Sequence, residues 1–202
     1  MHHGVGMKTL AVLGLGLLLL YVQGKGLAVQ TKKYDIKSGI INFETTTKAG
    51  SVTVTRKHVV YFDDFGKKEC REEYDGDTLK ESYFSDGKNL YKVIHAERTA
   101  YRTGKAVRGT EFRYDWNEVP ESHKREGDAK KLANMIIAGK NCESFQQSDS
   151  GTTTKFAGWN HICLFTEQTS RGMNSVSKAV KIEENVSVPA EKFKVPDGFR
   201  IK

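Results

Sequence analysis

The feature that most constrains this chain is a series of glycines that separate segments rich in Val, Ile, Tyr, Phe and Thr. Intervals of 16, 10, 11 and 17 residues separate Gly50, Gly66, Gly76, Gly87 and Gly104. Segments of β-branched and aromatic residues bounded by turn residues at this spacing are typical of antiparallel strands joined by hairpins. Asp75-Gly76 and Asp86-Gly87 also tolerate positive φ in tight turns. The sequence therefore predicts strands near 33–46, 51–63, 68–74, 79–85, 89–95 and 98–103.

The hydrophobic alternation changes phase within the first of these segments. Tyr34, Ile36 and Ile40 share one face, whereas Ile41 and Phe43 lie on the other. A phase change of this kind is what a β-bulge produces, and bulges curl a sheet. We expect an α+β protein that is mainly β: a strongly curved antiparallel sheet, an unclosed half-barrel, with one or more short helices covering its concave face.

The middle of the chain carries a helical pattern. Ala129, Leu132, Ala133 and Ile136 stand at positions i, i+3, i+4 and i+7, and Gly139 follows as a C-terminal stop. The sequence predicts one amphipathic helix of about ten residues here. It would lie on the concave face of the sheet and act as a movable lid.

The N-terminus resembles an export signal. Met7-Lys8 precedes Leu10–Val22, an uncharged and mostly apolar run that is shorter than the roughly 20 residues a spanning helix needs. A basic residue, a short apolar run and then small residues are typical of a secretory signal peptide. We expect residues 1–28 to be that signal, with cleavage near 24 or 28, and residues 29–202 to form one domain. An uncleaved anchor is the alternative. The predicted location is periplasmic or extracellular.

The net charge limits the classes of binding partner that we expect, and the cysteine content limits the number of disulfides. The formal net charge is +7, spread along the chain and interrupted by acidic clusters, so we expect no nucleic-acid partner and only weak membrane-surface association. The oligomeric state stays open.

An oxidising compartment allows one disulfide among the three cysteines. Cys142 and Cys163 form the candidate pair, and three buried free thiols are the alternative.

Motifs for catalysis and metal binding are missing from the sequence. It contains no HExxH, GxSxG or P-loop motif. His95 with Glu97, and His161 with Cys163, are each two positions apart and could share a strand face, but neither pair has an evident third ligand. Glu72-Glu73 is expected to keep a sheet edge soluble. We expect no metal, no cofactor and no enzymatic activity.

Aromatic and aliphatic residues could instead line a hydrophobic cleft. Most must form an ordinary core, but a concavity that the helix does not fill could bind acyl chains by burying their CH₂ groups. The candidates for the cleft are Tyr61, Tyr83, Tyr91, Val93, Leu132, Ile136 and Trp159.

Three segments resemble the outer-membrane lipoprotein carriers of the Lol type and their periplasmic relatives. They are YFSDGKNLYKV (83–93), AGKNCESF followed by GTTTKFAGWNHICLF (138–165), and VPAEKFKVPDGFRI (188–201). The carriers begin their mature chain with a helix, whereas TKKYDIKSGIINFE here has the pattern of a strand. The resemblance is therefore to a relative of the carriers and not to a true carrier.

The resemblance implies an unclosed curved sheet with helices in its mouth. It also implies that the C-terminal residues form a turn and a final extended segment pinned to the sheet, with the bend at Pro196 and Gly198. The function we predict is non-enzymatic binding of a lipid, acyl chain or apolar peptide in the concavity. The alternative is an envelope structural or protein-interaction module with a filled core.

Overall fold

The computed structural model of this protein describes residues 32–106 and 114–202. The predicted signal peptide, residues 1–28, lies outside these ranges. No helix within them has the length and apolar character needed to cross a bilayer.

Strands dominate the described residues. They are β1 Gly39–Ala49, β2 Val52–Asp63, β3 Lys68–Asp75, β4 Thr78–Ser85, β5 Asn89–Ile94, β6 Thr99–Lys105, β7 Ala129–Ile137, β8 Lys140–Asp149, β9 Thr152–Trp159, β10 Ile162–Ser170, β11 Met173–Glu184 and β12 Arg200–Ile201. One short helix, α1 Glu121–Glu126, and three 3-10 helices, Asp64–Gly66, Trp116–Glu118 and Ala190–Phe193, complete the elements of the described ranges.

The strands form one unclosed, curved sheet in the order β12-β6-β5-β4-β3-β2-β1-β11-β10-β9-β8-β7. One meander, β1 to β6, runs outward to one edge. The other, β7 to β11, runs inward from the opposite edge, and β1 pairs antiparallel with β11 where the two meet. The last strand, β12, pairs in parallel with β6. The predicted fold class is confirmed, and the six strands expected in the first meander are present.

The first strand begins later than expected. β1 starts at Gly39, and residues 33–37 form bends before it. Tyr34 and Ile36 therefore lie outside the strand, and this explains the change of phase. The register shift in this part of the sheet falls between Asn42 and Phe43 in the pairing of β1 with β11.

The helix predicted from 129 to 137 is wrong. These residues form β7, an edge strand paired with β8, and a register shift between Leu132 and Met135 interrupts its period-two alternation. This irregularity gives the apolar residues a spacing that imitates a helix. Ala138 (φ 47°) and Gly139 (φ 78°) form the two-residue turn into β8, a conformation that suits hairpins. The helical lid expected around Leu132–Ile136 is therefore not formed.

The helix that does form, α1, covers the charged sequence ESHKRE. It ends at Gly127, whose left-handed conformation (φ 82°) is typical of a helix C-terminus.

Within residues 32–106 and 114–202, three apolar clusters hold the sheet. The central cluster lies around the junction of the meanders and includes Ile41, Phe62 and Leu164. A second, of Val119, Ala129 and Phe145 with Trp116 and Phe156, joins β7–β9 to the connection that precedes β7. A third joins the first meander to the C-terminus and is described below.

All three cysteines are free thiols, so the disulfide expected between Cys142 and Cys163 is not formed. Cys142 lies on β8 and Cys163 on β10, with β9 between them. Two inter-strand spacings amount to about 9–10 Å, beyond the roughly 7 Å between Cα atoms that a disulfide can span. The two cysteines also lie on opposite faces of the sheet. Cys163 and Glu143 both pair with Gly158 and therefore share one face. Cys142 is adjacent to Glu143 in the chain and so lies on the other face.

Candidate functional site

The pairing of β3, β4 and β5 brings polar and apolar side chains together on one face. Cys70 is opposite Phe84, Glu72 is opposite Ser82, and Ser82 is in turn opposite Val93. Directly opposed residues point to the same side of a sheet. These five side chains therefore form one continuous floor in the first meander.

The C-terminal segment, residues 186–202, covers this floor. Its 3-10 helix, Ala190–Phe193, places Phe193 at 7% exposure in a cluster with Cys70, Phe84, Val93 and Ala100. Beyond it the chain bends, with Phe199 N donating to Pro196 O (3.2 Å) and Gly198 at φ 76°, before β12 pairs with β6. The expectation that this terminus is pinned to the sheet through a bend at Pro196 and Gly198 is confirmed.

Floor and segment border a half-open cavity of about 350 Å³. Its floor side is formed by Cys70, Glu72, Ser82, Phe84, Val93 and His95, and its cover by Glu191, Lys192, Lys194, Pro196 and Asp197. The volume falls near the lower end of the roughly 300–1,000 Å³ typical of ligand pockets. Its apolar part comes from β3–β5, whereas most of its charge comes from the segment.

A buried ion pair ties the segment to the floor. Lys192 Nζ donates to Glu72 Oε1 (2.6 Å), and the Tyr74 hydroxyl donates to Glu72 Oε2 (2.7 Å). Glu72 is only 5% exposed, and the Lys192 ammonium also lies 4.4 Å from the centre of the Tyr61 ring. Breaking a buried pair by removing one partner leaves an uncompensated charge and is strongly destabilising. The contact therefore favours the covered state of the floor.

A second polar contact lies beside it. Ser82 Oγ and His95 Nε2 are 2.8 Å apart. His95 directly follows β5, its backbone N donates to Lys80 O (3.0 Å), and its ring meets Phe199 of the segment edge-on at 5.6 Å. The histidine is thus held by both the sheet and its cover.

Burial controls the titration of these groups. The pKa of His95 lies below its ordinary value, chiefly because the ring is buried. The Lys192 ammonium lowers this pKa further, and the Glu72 carboxylate raises it. Burial also raises the pKa of the Cys70 thiol to about 12, with the Glu72 charge adding to the effect. His95 is therefore neutral and Cys70 protonated at neutral pH.

The predicted cleft residues are distributed over several places. Tyr61, Tyr91 and Val93 belong to the cluster under the C-terminal segment. Tyr83 is 40% exposed, and its position between Ser82 and Phe84 puts it on the opposite face of β4. On β7, Leu132 is half-buried and Ile136 is 67% exposed. Trp159 packs against the central cluster under the Lys140 ammonium, which lies 4.6 Å from its ring.

The polar residues of the cavity were not recognised from sequence. Glu72 is buried within β3 and does not protect an edge. His95 and Glu97 do not share a strand, because residues 95–98 form a turn and Glu97 accepts from Tyr101. The alternation of β3 could have revealed Glu72, which stands two residues after the buried Cys70. Ser82 and His95 lie 13 positions apart and have no local motif.

No family model matches the sequence, and no curated protein matches it. Solved structures are similar in fold. An uncharacterised conserved protein of Thermus thermophilus is matched with a TM-score of 0.56 and 8% identity, over 85% of this chain and 93% of that one. A chain of the MucA/MucB complex of Pseudomonas aeruginosa is matched with a TM-score of 0.52 and 8% identity, over 82% of this chain and 58% of that one.

A LolA superfamily protein from Nitrosomonas europaea is matched more weakly, with a TM-score of 0.37 and 10% identity over 81% of this chain and 92% of that one. We draw no conclusion from this weaker match. The two stronger matches, at 8% identity, show similarity of fold alone.

Proposed function

We propose that this protein is an exported binding domain that holds the apolar part of an amphiphile, such as a lipid, an acyl chain or an apolar peptide, beneath its C-terminal segment. The observation that carries the proposal is the cavity of about 350 Å³ with Cys70, Phe84 and Val93 in its floor. Each CH₂ group buried there contributes about 0.8 kcal/mol. Binding of this kind requires no catalytic group.

The charged cover suits an amphiphile better than a pure hydrocarbon. Lys192, Lys194, Glu191 and Asp197 all belong to the C-terminal segment and line the cavity. A ligand can therefore place its chain on the apolar floor and its polar group at this side. Lys194 is 57% and Asp197 94% exposed in their side chains, so a head group placed beside them remains in contact with water.

Export is part of the proposal and rests on the sequence. The basic residue Lys8 and the apolar run Leu10–Val22 support a signal peptide that is cleaved near 24 or 28. The domain would then act in the periplasm or outside the cell.

The test uses the purified protein with dansyl-labelled undecanoic acid. We expect a saturable rise in fluorescence that Val93→Phe weakens at least about tenfold, because the new ring fills the cavity. Leu90→Phe is the matched control: Leu90 lies on the same strand, is 40% exposed and, three residues from Val93, points to the other face. This variant should bind like the unaltered protein.

A second variant, which enlarges the cavity, keeps the test valid if Val93→Phe fails to fold. Phe84→Ala widens the floor and should shift the preference of the protein toward a longer labelled chain. No saturable binding by the unaltered protein, or equal binding by all three variants, would disprove the proposal.

A protein-interaction module is the second candidate, and a specific surface favours it. Val52 (59% exposed), Val54 (43%) and Met173 (37%) lie at the ends of the long central hairpins, and Ala49 pairs with both Val52 and Met173. Exposed apolar patches of this kind mark interaction sites. The candidate predicts that Val52→Lys abolishes a stoichiometric complex with an envelope protein, whereas Thr53→Lys, on the opposite face, retains it.

A further inference from the structure

The cavity contains a serine and a histidine in hydrogen-bonding contact. Ser82 lies on β4 at 7% exposure, and its Oγ is 2.8 Å from His95 Nε2. Both residues line the cavity. When the imidazole proton is on Nδ1, the Ser82 hydroxyl donates to Nε2. A hydroxyl held against a neutral imidazole is the arrangement that activates a serine nucleophile.

The surroundings of this pair suit an acyl group. Phe84 and Val93, apolar members of the same floor, lie opposite Tyr91 and Ser82 respectively, so an acyl chain on this floor brings its carbonyl close to Ser82. Lys192 lines the same cavity and is held by Glu72 at 2.6 Å. Its ammonium neutralises the Glu72 carboxylate, which would otherwise place a negative charge directly across the strands from Ser82.

The protonation states agree with this geometry. The pKa of His95 lies below its ordinary value, chiefly because of burial, so the imidazole can accept a proton at neutral pH. The neighbouring thiol of Cys70, whose pKa is raised to about 12 by burial, stays protonated and does not compete as a nucleophile.

We propose that Ser82 is a nucleophile and His95 its general base, acting on a carboxylic ester of an apolar acyl chain. This inference rests on the proposed function, because the acyl chain would occupy the cavity assigned there to an amphiphile. It goes beyond that function by adding a chemical step.

The step balances without any cofactor. Ser82 Oγ forms a bond to the ester carbonyl carbon while its proton moves to His95 Nε2. The carbon–oxygen bond to the alcohol then breaks, and His95 returns the proton to the departing oxygen. Water attacks the acyl-serine with His95 as base, which releases the carboxylic acid and restores Ser82.

The experiment labels the full-length protein with an alkyl fluorophosphonate and identifies the modified residue by peptide mass spectrometry. We expect one label on Ser82 in the peptide 81–88. Ser82→Ala should lose the label. Ser85→Ala is the matched control, because Ser85 lies on the same strand, faces the other side and donates to Lys67 O; it should be labelled like the unaltered protein.

The base is tested by His95→Gln, which should slow labelling about 100-fold or more. Absence of label on the unaltered protein, label on another residue, or full-rate labelling of His95→Gln overturns the inference. Because the modified residue is identified in the unaltered protein, the result does not depend on how well Ser82→Ala folds.

Parallel binding of dansyl-undecanoic acid separates the two proposals. Binding without labelling overturns the nucleophile and leaves the binding function intact. Absence of both binding and labelling overturns the nucleophile and the binding function together.

Discussion

The two meanders are covered in different ways. The floor of β3–β5 is covered by the C-terminal segment, which makes side-chain contacts and leaves a cavity of about 350 Å³. The β7–β9 region is covered by residues 114–119, which approach its backbone directly: an added Cβ on Gly158 would lie 1.9 Å from Tyr114 O, and Trp116 N donates to Glu143 Oε2 (2.9 Å).

The two covers therefore make different kinds of contact with the same curved sheet. In the second meander a glycine allows the covering chain to settle on the strands, and the large rings of Phe145 and Phe156 fill the remaining space with Trp116. In the first meander Phe193 packs on the floor and Lys192 pairs with Glu72, and a cavity remains beside these contacts. The cavity described here lies in the first meander, and the ligand site is proposed there.

The largest effect is expected from detaching the cover of the first meander. Phe193→Ala removes a ring that is 7% exposed, and should lower the free energy of unfolding by about 3 kcal/mol. Ile201→Ala, at a position 63% exposed in the same segment, is the control and should change it by less than about 0.5 kcal/mol. Urea denaturation measures both, and equal losses would contradict an anchor at Phe193.

A smaller loss is expected when the cover of the second meander is forced away. Gly158→Ala introduces the clash with Tyr114 and should cost about 2 kcal/mol. Gly104→Ala, where no atom lies within 4 Å of the new Cβ, should be neutral or slightly stabilising. Two variants of equal stability would show that the close approach at Gly158 is relaxed at little cost.

The smallest effect concerns pH. Burial lowers the pKa of His58 to about 3, with the nearby Arg71 contributing, and the ring is stacked on Phe43 at 4.5 Å. The unfolded chain binds a proton here below about pH 6.5 and the folded protein does not, so stability falls as the pH falls through this range. The part of this loss that His58 contributes between pH 7.5 and pH 5.5 should be about 1.4 kcal/mol.

His58→Gln is the control for this prediction. It keeps a polar side chain at the site and removes the titration, so its stability should change by about 1.4 kcal/mol less than that of the unaltered protein over the same pH range. Parallel pH profiles of stability for the two proteins would show that the loss of stability in acid comes from groups other than His58.

Much of the sheet could be predicted because strands and turns are local properties. Gly76 and Gly87 mark hairpin turns and do adopt positive φ, and the six strands of the first meander follow from the segments between glycines. The second meander was harder at β7. There an edge strand with a register shift between Leu132 and Met135 produced apolar spacing that a helix also produces.

The polar contacts of the candidate site could not be predicted, because the residues that make them come from separate parts of the chain. Glu72 and Lys192 are 120 positions apart, and their contact depends on where residues 186–202 lie on the sheet. The family resemblance implied that the C-terminus is pinned to the sheet, and Phe193 is indeed buried. It did not indicate that Lys192 would be carried beneath the surface with it.

By itself, the sequence determined a curved antiparallel sheet and an anchored C-terminus, because residue preferences and turn chemistry act over a few neighbouring positions. Only the tertiary structure decided that Ser82 meets His95, that Glu72 pairs with Lys192, and that the thiols of Cys142 and Cys163 lie apart. Each of these depends on strand order and register, which bring distant residues together or keep near ones apart.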